Sequence, residues 1–215
     1  VVEHRLSVVG LLARPCGLVL FQWLTEQPRL AVRAVFTHSR LPSSEDPNRG
    51  LRPEFPEYWH LARRHDVPLF AVDRRDEADF SLILDGLPPY DVLVSLSWRY
   101  WVPPAVLGRA RLADINLHRG RLPEYGGAEP VRRMLEAGLD RAVITAHIMT
   151  AEIDRGEILA EVEHPMAVLE GETPDQAAER VKRDLEPLYP AAALRALNRL
   201  FSARGWPLWD EPGDG

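Results

Sequence analysis

Short apolar, β-rich runs alternate with helix-like stretches along most of the chain, and this alternation limits the possible folds more than any other feature. Leu6–Leu12 (LSVVGLL) reads as a buried first strand, residues 17–27 as the helix after it, and Leu30–Thr37 as a second strand. Residues 54–65 have helical patterning and 68–72 form a short strand, while 91–96 (DVLVSL) is a continuous buried run. Further strands are expected at Ala113–His118, 143–149 and 158–163, with a helix over 128–137. Alternating βα units predict an α/β fold: an open, mostly parallel sheet with helices on both faces.

Two segments interrupt the pattern. Residues 38–53 contain Pro42, Ser43, Ser44, Pro47, Asn48 and Gly50, which marks a long surface loop of the kind that binds ligands or moves as a lid. Thr173-Pro174-Asp175-Gln176 opens a helix: Thr173 caps it, Pro174 suits the first turn and Gln176 completes a capping box. That helix should run toward Asn198, with a break near Pro187 and Pro190. Residues 1–204 are expected to form one domain, followed by a loosely attached tail, 205–215. In the tail, Trp206 and Trp209 either form an interface, such as that of a homodimer, or pack back on the domain; the oligomeric state stays open.

The net charge of −6 argues against nucleic acid as a main partner, since phosphate neutralisation needs a basic surface. Cys16 is the sole cysteine, which excludes an intrachain disulfide and a cysteine-based zinc site. No apolar run approaches the roughly 20 residues of a membrane span, and charges occupy the N-terminal segment where a signal peptide needs apolar residues. The expectation is a soluble, cytoplasmic protein with no membrane partner.

Polar residues that neither core nor turn requires cluster in two places. Alternate residues of a strand share a face, so Asn116 and His118 point the same way at the carboxyl end of their strand, where open α/β sheets place ligands. An amide can donate to a developing oxyanion and an imidazole can steer protons, a pairing suited to acyl transfer. A carboxylate would fix the imidazole's protonation state, and Asp154 is the candidate. Each residue also has an ordinary reading. Asn and His cap strand ends, Asp154-Arg155-Gly156 fits a plain turn, and His147 fits a buried, hydrogen-bonded histidine in mid-strand. The aromatic run Trp98 to Trp101 suits core and pocket wall.

Asn116-Leu117-His118, Leu122-Pro123-Glu124-Tyr125-Gly126-Gly127 and Asp154-Arg155-Gly156 occur in the order and spacing of the 10-formyltetrahydrofolate-dependent formyltransferases, and the chain resembles that family. Ser97-Trp98-Arg99-Tyr100-Trp101-Val102-Pro103 resembles the segment that shapes its pterin pocket, closest to the sugar-modifying members. Leu185-Glu186-Pro187-Leu188-Tyr189-Pro190 resembles the C-terminal helix of the glycinamide ribonucleotide enzymes. The resemblance implies a Rossmann-like formyltransferase fold, 10-formyltetrahydrofolate as co-substrate and no metal. It implies that Asn116 and His118 stabilise the oxyanion and that Asp154 assists proton transfer. By the same resemblance Tyr100, Trp101 and Val102 lie against the folate, and Thr150, Ala151, Glu152 and Ile153 read its edge. Arg119, Arg121, Tyr125, Gly127 and His147 fall on the acceptor side.

The chain departs from the family pattern at His118-Arg119-Gly120-Arg121, where many members read His-Pro-Ser-Leu. Arg119 and Arg121 either bind an acidic acceptor or the folate tail, or are solvated loop residues. Leu12-Ala13-Arg14-Pro15-Cys16-Gly17 lacks the small residues that cradle a phosphate, which weakens a phosphoribosylglycinamide formyltransferase assignment. Neither a tRNA-binding C-terminal domain nor the N-terminal regulatory domain of formyltetrahydrofolate hydrolases is read in this chain. The expected acceptor is a small-molecule amine, such as an amino sugar nucleotide or a specialised-metabolite amine. Phe55, Tyr58 and Trp59 either stack its base or pack a helix. The alternatives are a formyltetrahydrofolate hydrolase, a phosphoribosylglycinamide formyltransferase and an inactive folate- or partner-binding member. A dinucleotide binder is disfavoured by the missing G-x-G-x-x-G.

Overall fold

The computed structural model describes residues 5–74 and 83–206. Its contacts divide into two compact units, Val1–Asp114 and Ile115–Gly215, so the division falls within a strand. The class is α/β with a mostly parallel sheet, as expected.

In the first unit, β1 (Leu6–Leu12) leads to α1 (Arg14–Glu26), β2 (Leu30–Thr37), α2 (Phe55–Arg64), β3 (Leu69–Ala71) and β4 (Val92–Leu96). The order β3-β2-β1-β4 is parallel throughout. β1 is buried along its whole length, which is why it is apolar without alternation. Val8, Val9, Leu11, Leu20, Phe21, Leu24, Val35, Phe36 and Leu93 have no exposed surface, and burying each contributes about 1.5–3 kcal/mol relative to exposure. Asp91 ties the start of β4 to β1: its carboxylate accepts from the Ser7 amide at 2.8 Å and the Ser7 hydroxyl at 2.6 Å.

The stretch 38–53 forms no helix or strand, as expected, but it is not a loose lid. Asp46 accepts from the amides of Asn48 (2.9 Å) and Gly50 (2.7 Å), and Arg40 bridges to Leu51. Asp73 accepts from the Arg40 amide at 2.9 Å, and Arg52 is buried against Glu54 at 3.1 Å. His38 anchors one end. Its Nδ1 donates to the Val72 carbonyl at 2.6 Å, and Nε2 accepts from the Arg99 amide at 3.3 Å. The ring stacks on Trp98 with centroids 4.3 Å apart, and the Tyr100 edge meets it at 5.1 Å. Tyr58 is buried and its hydroxyl donates to the Arg14 carbonyl at 3.0 Å, so its role in α2 is packing; Trp59 is exposed.

In the second unit, β5 (Ala113–His118) is followed by α3 (Pro130–Glu136), β6 (Arg141–Ile148) and β7 (Ile158–Pro165). β6 runs antiparallel to β5 and to β7, so the parallel pattern read from βα alternation ends here. The register of β6 with β7 shifts between Ala146 and His147. α4 (Pro174–Asp184) begins with the predicted capping box, a feature that contributes about 1 kcal/mol. The break near Pro187 is a 3-10 turn, Glu186–Leu188, after which α5 (Tyr189–Ser202) packs on β6 and β7. Trp206 packs back on Phe201, with ring centroids 5.7 Å apart, while Trp209 and the rest of the tail lie outside the described residues. Among the described residues no helix is long and apolar enough to cross a membrane.

Burial, reinforced by Arg99 and Arg52, lowers the His38 pKa to about 4. An unfolded chain binds a proton at this ring near pH 6.5 and the folded chain does not, so stability is complete above that pH and declines as pH falls toward 4. Urea denaturation across pH 4.5–7 should therefore show a steeper acid loss for the native chain than for His38→Gln; parallel curves would remove His38 as the cause.

Candidate active site

The antiparallel pairing of β5 with β6 and the connection after β6 bring four polar side chains of the second unit together. Asn116 and His147 are opposite one another on β5 and β6, and His118 is opposite Thr145. Asp154 projects from the 149–157 connection between β6 and β7, in a left-handed conformation with φ of +56°. Asp tolerates that region better than most residues. His147 is 2% exposed, and the side chains of His118 and Asp154 are 10% and 9% exposed, so their interactions are weakly screened.

The hydrogen bonds define the neutral tautomers. His118 Nε2 donates to the Tyr125 carbonyl at 2.8 Å, and His147 Nδ1 donates to the Ile148 carbonyl at 2.9 Å. A carbonyl only accepts, so each neutral ring carries its hydrogen on the outward nitrogen. The inward nitrogens face the carboxylate: His118 Nδ1 lies 3.4 Å from Asp154 Oδ2, and His147 Nε2 lies 3.4 Å from Oδ1. His147 Nε2 also accepts from Asn116 Nδ2 at 3.1 Å, which orients the amide and leaves its second N–H outside that bond. Gly127 donates its backbone N–H to Asp154 Oδ2 at 2.8 Å.

Burial lowers the His118 pKa, assisted by His147 and Arg119 and opposed by Asp154 and the Tyr125 carbonyl. For Asp154, burial acts to raise the pKa, but His147, the Gly127 N–H and His118 together hold it below the usual carboxylate range. The cluster thus holds Asp154 as a carboxylate beside His118, whose charged form burial disfavours. A proton delivered to it is shared between that carboxylate and an inward-facing nitrogen.

Two glycines make the fit possible. A Cβ on Gly120 would stand 2.6 Å from the Tyr125 carbonyl oxygen and 3.0 Å from His118 Nε2, so glycine lets that carbonyl reach the imidazole. A Cβ on Gly156 would stand 1.8 Å from the Ile148 carbonyl oxygen, the acceptor of His147 Nδ1. Thr145 Oγ1 donates to the Gly120 carbonyl at 2.8 Å and holds the start of the loop after β5; the Leu122–Pro123 peptide in that loop is cis.

The structure thus brings Asn116, His118, His147 and Asp154 into one cluster. Gly127 joins it through its amide and Tyr125 through its carbonyl. Arg121 instead pairs with Glu163 at 2.8 Å on the surface, and Arg119 is half-buried where its charge acts on His118. Thr150, Ala151, Glu152 and Ile153 form the exposed part of the β6–β7 connection, with Thr150 Oγ1 donating to the Glu152 carbonyl at 2.8 Å. Tyr100, Trp101 and Val102 belong to the first unit, where Trp101 is exposed. Among the described residues no group of three or more His, Cys, Asp and Glu is placed to hold a metal ion. Sequence reading missed Gly120 and Thr145. Thr145 alone carried a signal, a polar residue on the same strand face as His147.

The profile of the formyl transferase family matches residues 25–193. A methionyl-tRNA formyltransferase from Pseudomonas putida is 29% identical over 192 residues, covering 72% of this chain and 61% of that protein. A methionyl-tRNA formyltransferase from Chromohalobacter salexigens is 32% identical over 157 residues, covering 72% of this chain and 45% of that protein. Across the first such relatives the chain spans between 34% and 61% of their length. Among solved structures, glycinamide ribonucleotide transformylase 1 from Symbiobacterium toebii superposes with a TM-score of 0.65 at 23% identity, covering 90% of this chain and 89% of that one. A formyltetrahydrofolate deformylase from Pseudomonas syringae superposes with a TM-score of 0.68 at 21% identity, covering 92% and 62%. These two likenesses are of fold.

The contact at Gly156 yields a test. Gly156→Ala should lower stability by about 1–3 kcal/mol, the usual range for overpacking, because the Ile148 peptide must shift. Thermal unfolding of the variant checks this, and an unchanged midpoint would mean the connection yields freely.

Proposed function

The chain belongs to the formyl transferase family, and we propose that it transfers the formyl group of 10-formyltetrahydrofolate to a small-molecule amine. The observation that carries this reading is the single cluster of Asn116, His147, Asp154 and His118, each with a defined hydrogen-bonding role. The amine nitrogen attacks the formyl carbon, and the carbonyl electron pair moves onto oxygen. The second N–H of Asn116 meets that oxyanion, with the amide held in place by His147. The nitrogen that has attacked loses a proton to the Asp154 carboxylate, directly or through water; His118, expected to meet the oxyanion, instead shares that proton through Nδ1, because its Nε2 hydrogen is taken by the Tyr125 carbonyl. The proton then passes to the folate N10, the bond from carbon to N10 breaks, and the carbonyl re-forms. The products are the formamide and tetrahydrofolate.

No step needs a metal, because the acceptor amine is the nucleophile. In this reading Thr150, Ala151, Glu152 and Ile153 contact the folate, while Arg119 serves the acceptor or the folate tail. The net charge of −6 favours a small amine, such as an amino sugar nucleotide, over a nucleic acid.

The purified protein, mixed with 10-formyltetrahydrofolate and a panel of amines, should release tetrahydrofolate with one acceptor class, followed by absorbance. The panel should include an amino sugar nucleotide, glycinamide ribonucleotide and methionyl-tRNA. Asp154→Asn should fold and lose at least about a hundredfold in turnover, the lower end of what general acid–base catalysis supplies. Near-native turnover in that variant would overturn the assigned role. Release without any amine would make water the acceptor.

A further inference from the structure

We infer that Arg133 is a positioning residue for the reaction: it clamps the Tyr125–Gly127 turn, whose backbone supplies hydrogen-bond partners to both His118 and Asp154. The inference rests on the reading of His118 and Asp154 as the reacting groups. Arg133 lies in the last turn of α3 and is half-buried. Its Nη2 donates to the Gly126 carbonyl, and its guanidinium carbon stands 5.8 Å from the centroid of the Tyr125 ring. Either side of Gly126, the backbone faces the cluster. The Tyr125 carbonyl takes the His118 Nε2 hydrogen at 2.8 Å, and the Gly127 amide gives its hydrogen to Asp154 Oδ2 at 2.8 Å.

One cation therefore grips the residue between the two that define the protonation of the pair. The turn needs an external clamp. Gly126 and Gly127 have no side chains to anchor them, and Gly127 adopts a φ of +79°, open to glycine but loose in the absence of other restraint. The Tyr125 amide closes only the near end, on the Arg121 carbonyl at 2.8 Å. Arg133 Nε is buried without a hydrogen-bond partner. A methionine could fill this part of α3 without that penalty, so helix packing alone does not account for an arginine here.

Loss of the clamp has a defined electrostatic signature. The charged groups acting on His118 are Asp154, His147 and Arg119; those acting on Asp154 are His118 and His147. Releasing the turn removes the Gly127 N–H that holds the Asp154 pKa down, so it rises. It also removes the Tyr125 carbonyl that holds the His118 pKa up, so it falls.

The test is nitrogen-15 NMR of histidine-labelled protein at pH 8, joined to pH profiles of kcat. In the native chain, His118 should be a single tautomer protonated at Nε2. In Arg133→Met it should become a mixture of tautomers, kcat should fall about tenfold to a hundredfold, and the acid limb should move to higher pH. KM for the folate should change less than about twofold. Arg133→Lys, which keeps the charge without the flat guanidinium, should restore part of kcat. If Arg133→Met does not fold, Tyr125→Leu keeps the backbone but removes the ring from under the cation, and should shift tautomer and acid limb the same way by less. An Nε2-protonated His118 with an unmoved acid limb in the folded variants would overturn the inference, whatever the activity. The tautomer measurement needs neither folate nor amine. A shifted tautomer in a protein without formyl transfer would refute the proposed reaction and leave the clamp standing.

Discussion

The second unit is organised around a carboxylate held between two imidazoles whose outer nitrogens are tied to peptide carbonyls. Those ties leave each ring one basic nitrogen, and both basic nitrogens point at Asp154. The surrounding residues maintain this orientation. Gly120 lets the Tyr125 carbonyl approach, Gly156 makes room for the Ile148 carbonyl, and Thr145 pins the loop that follows β5. None of these three supplies chemistry. They fix which atom of each imidazole is available for it.

The change from parallel to antiparallel pairing serves the same end. Parallel neighbours require a long crossover, whereas antiparallel neighbours accept a short connection. The β6–β7 connection is short enough for Asp154 to return beside His147, which lies on the strand the chain has just left. Asp154 pairs with His118 from that same turn, so two histidines on adjacent strands share one carboxylate.

Much of this was legible in the sequence because local patterns decide it. β1, β2 and β5 fall where their apolar runs place them, and the Thr173 capping box forms as its spacing predicts. Asn116 and His118 share a face because strand geometry requires it. What eluded the sequence depends on long-range contact. The antiparallel turn of the sheet follows from which strands meet. The 38–53 stretch reads as a binding loop or a mobile lid by composition, and Asp46, Asp73 and a buried Arg52 secure it. Arg121 is adjacent to the motif in sequence but pairs outward with Glu163, whereas Arg133, outside the motif on the following helix, reaches back to its Gly126 carbonyl. Gly120 looked like a substitution in the motif, and its meaning emerges only when the Tyr125 carbonyl is found against it.

The opposition of Asn116 and His147 across β5 and β6, beside a register irregularity on the β7 side, means that the site fails in steps rather than by degrees. A strand's faces alternate with every residue, so slipping β6 by one position would turn His147 to the other face of the sheet. No intermediate register keeps the amide partly supported. Gradual drift in side-chain size can be absorbed around this cluster, but an inserted or deleted residue in β6 cannot, unless the irregularity beside His147 takes up the offset. Along this strand, length is under tighter constraint than composition.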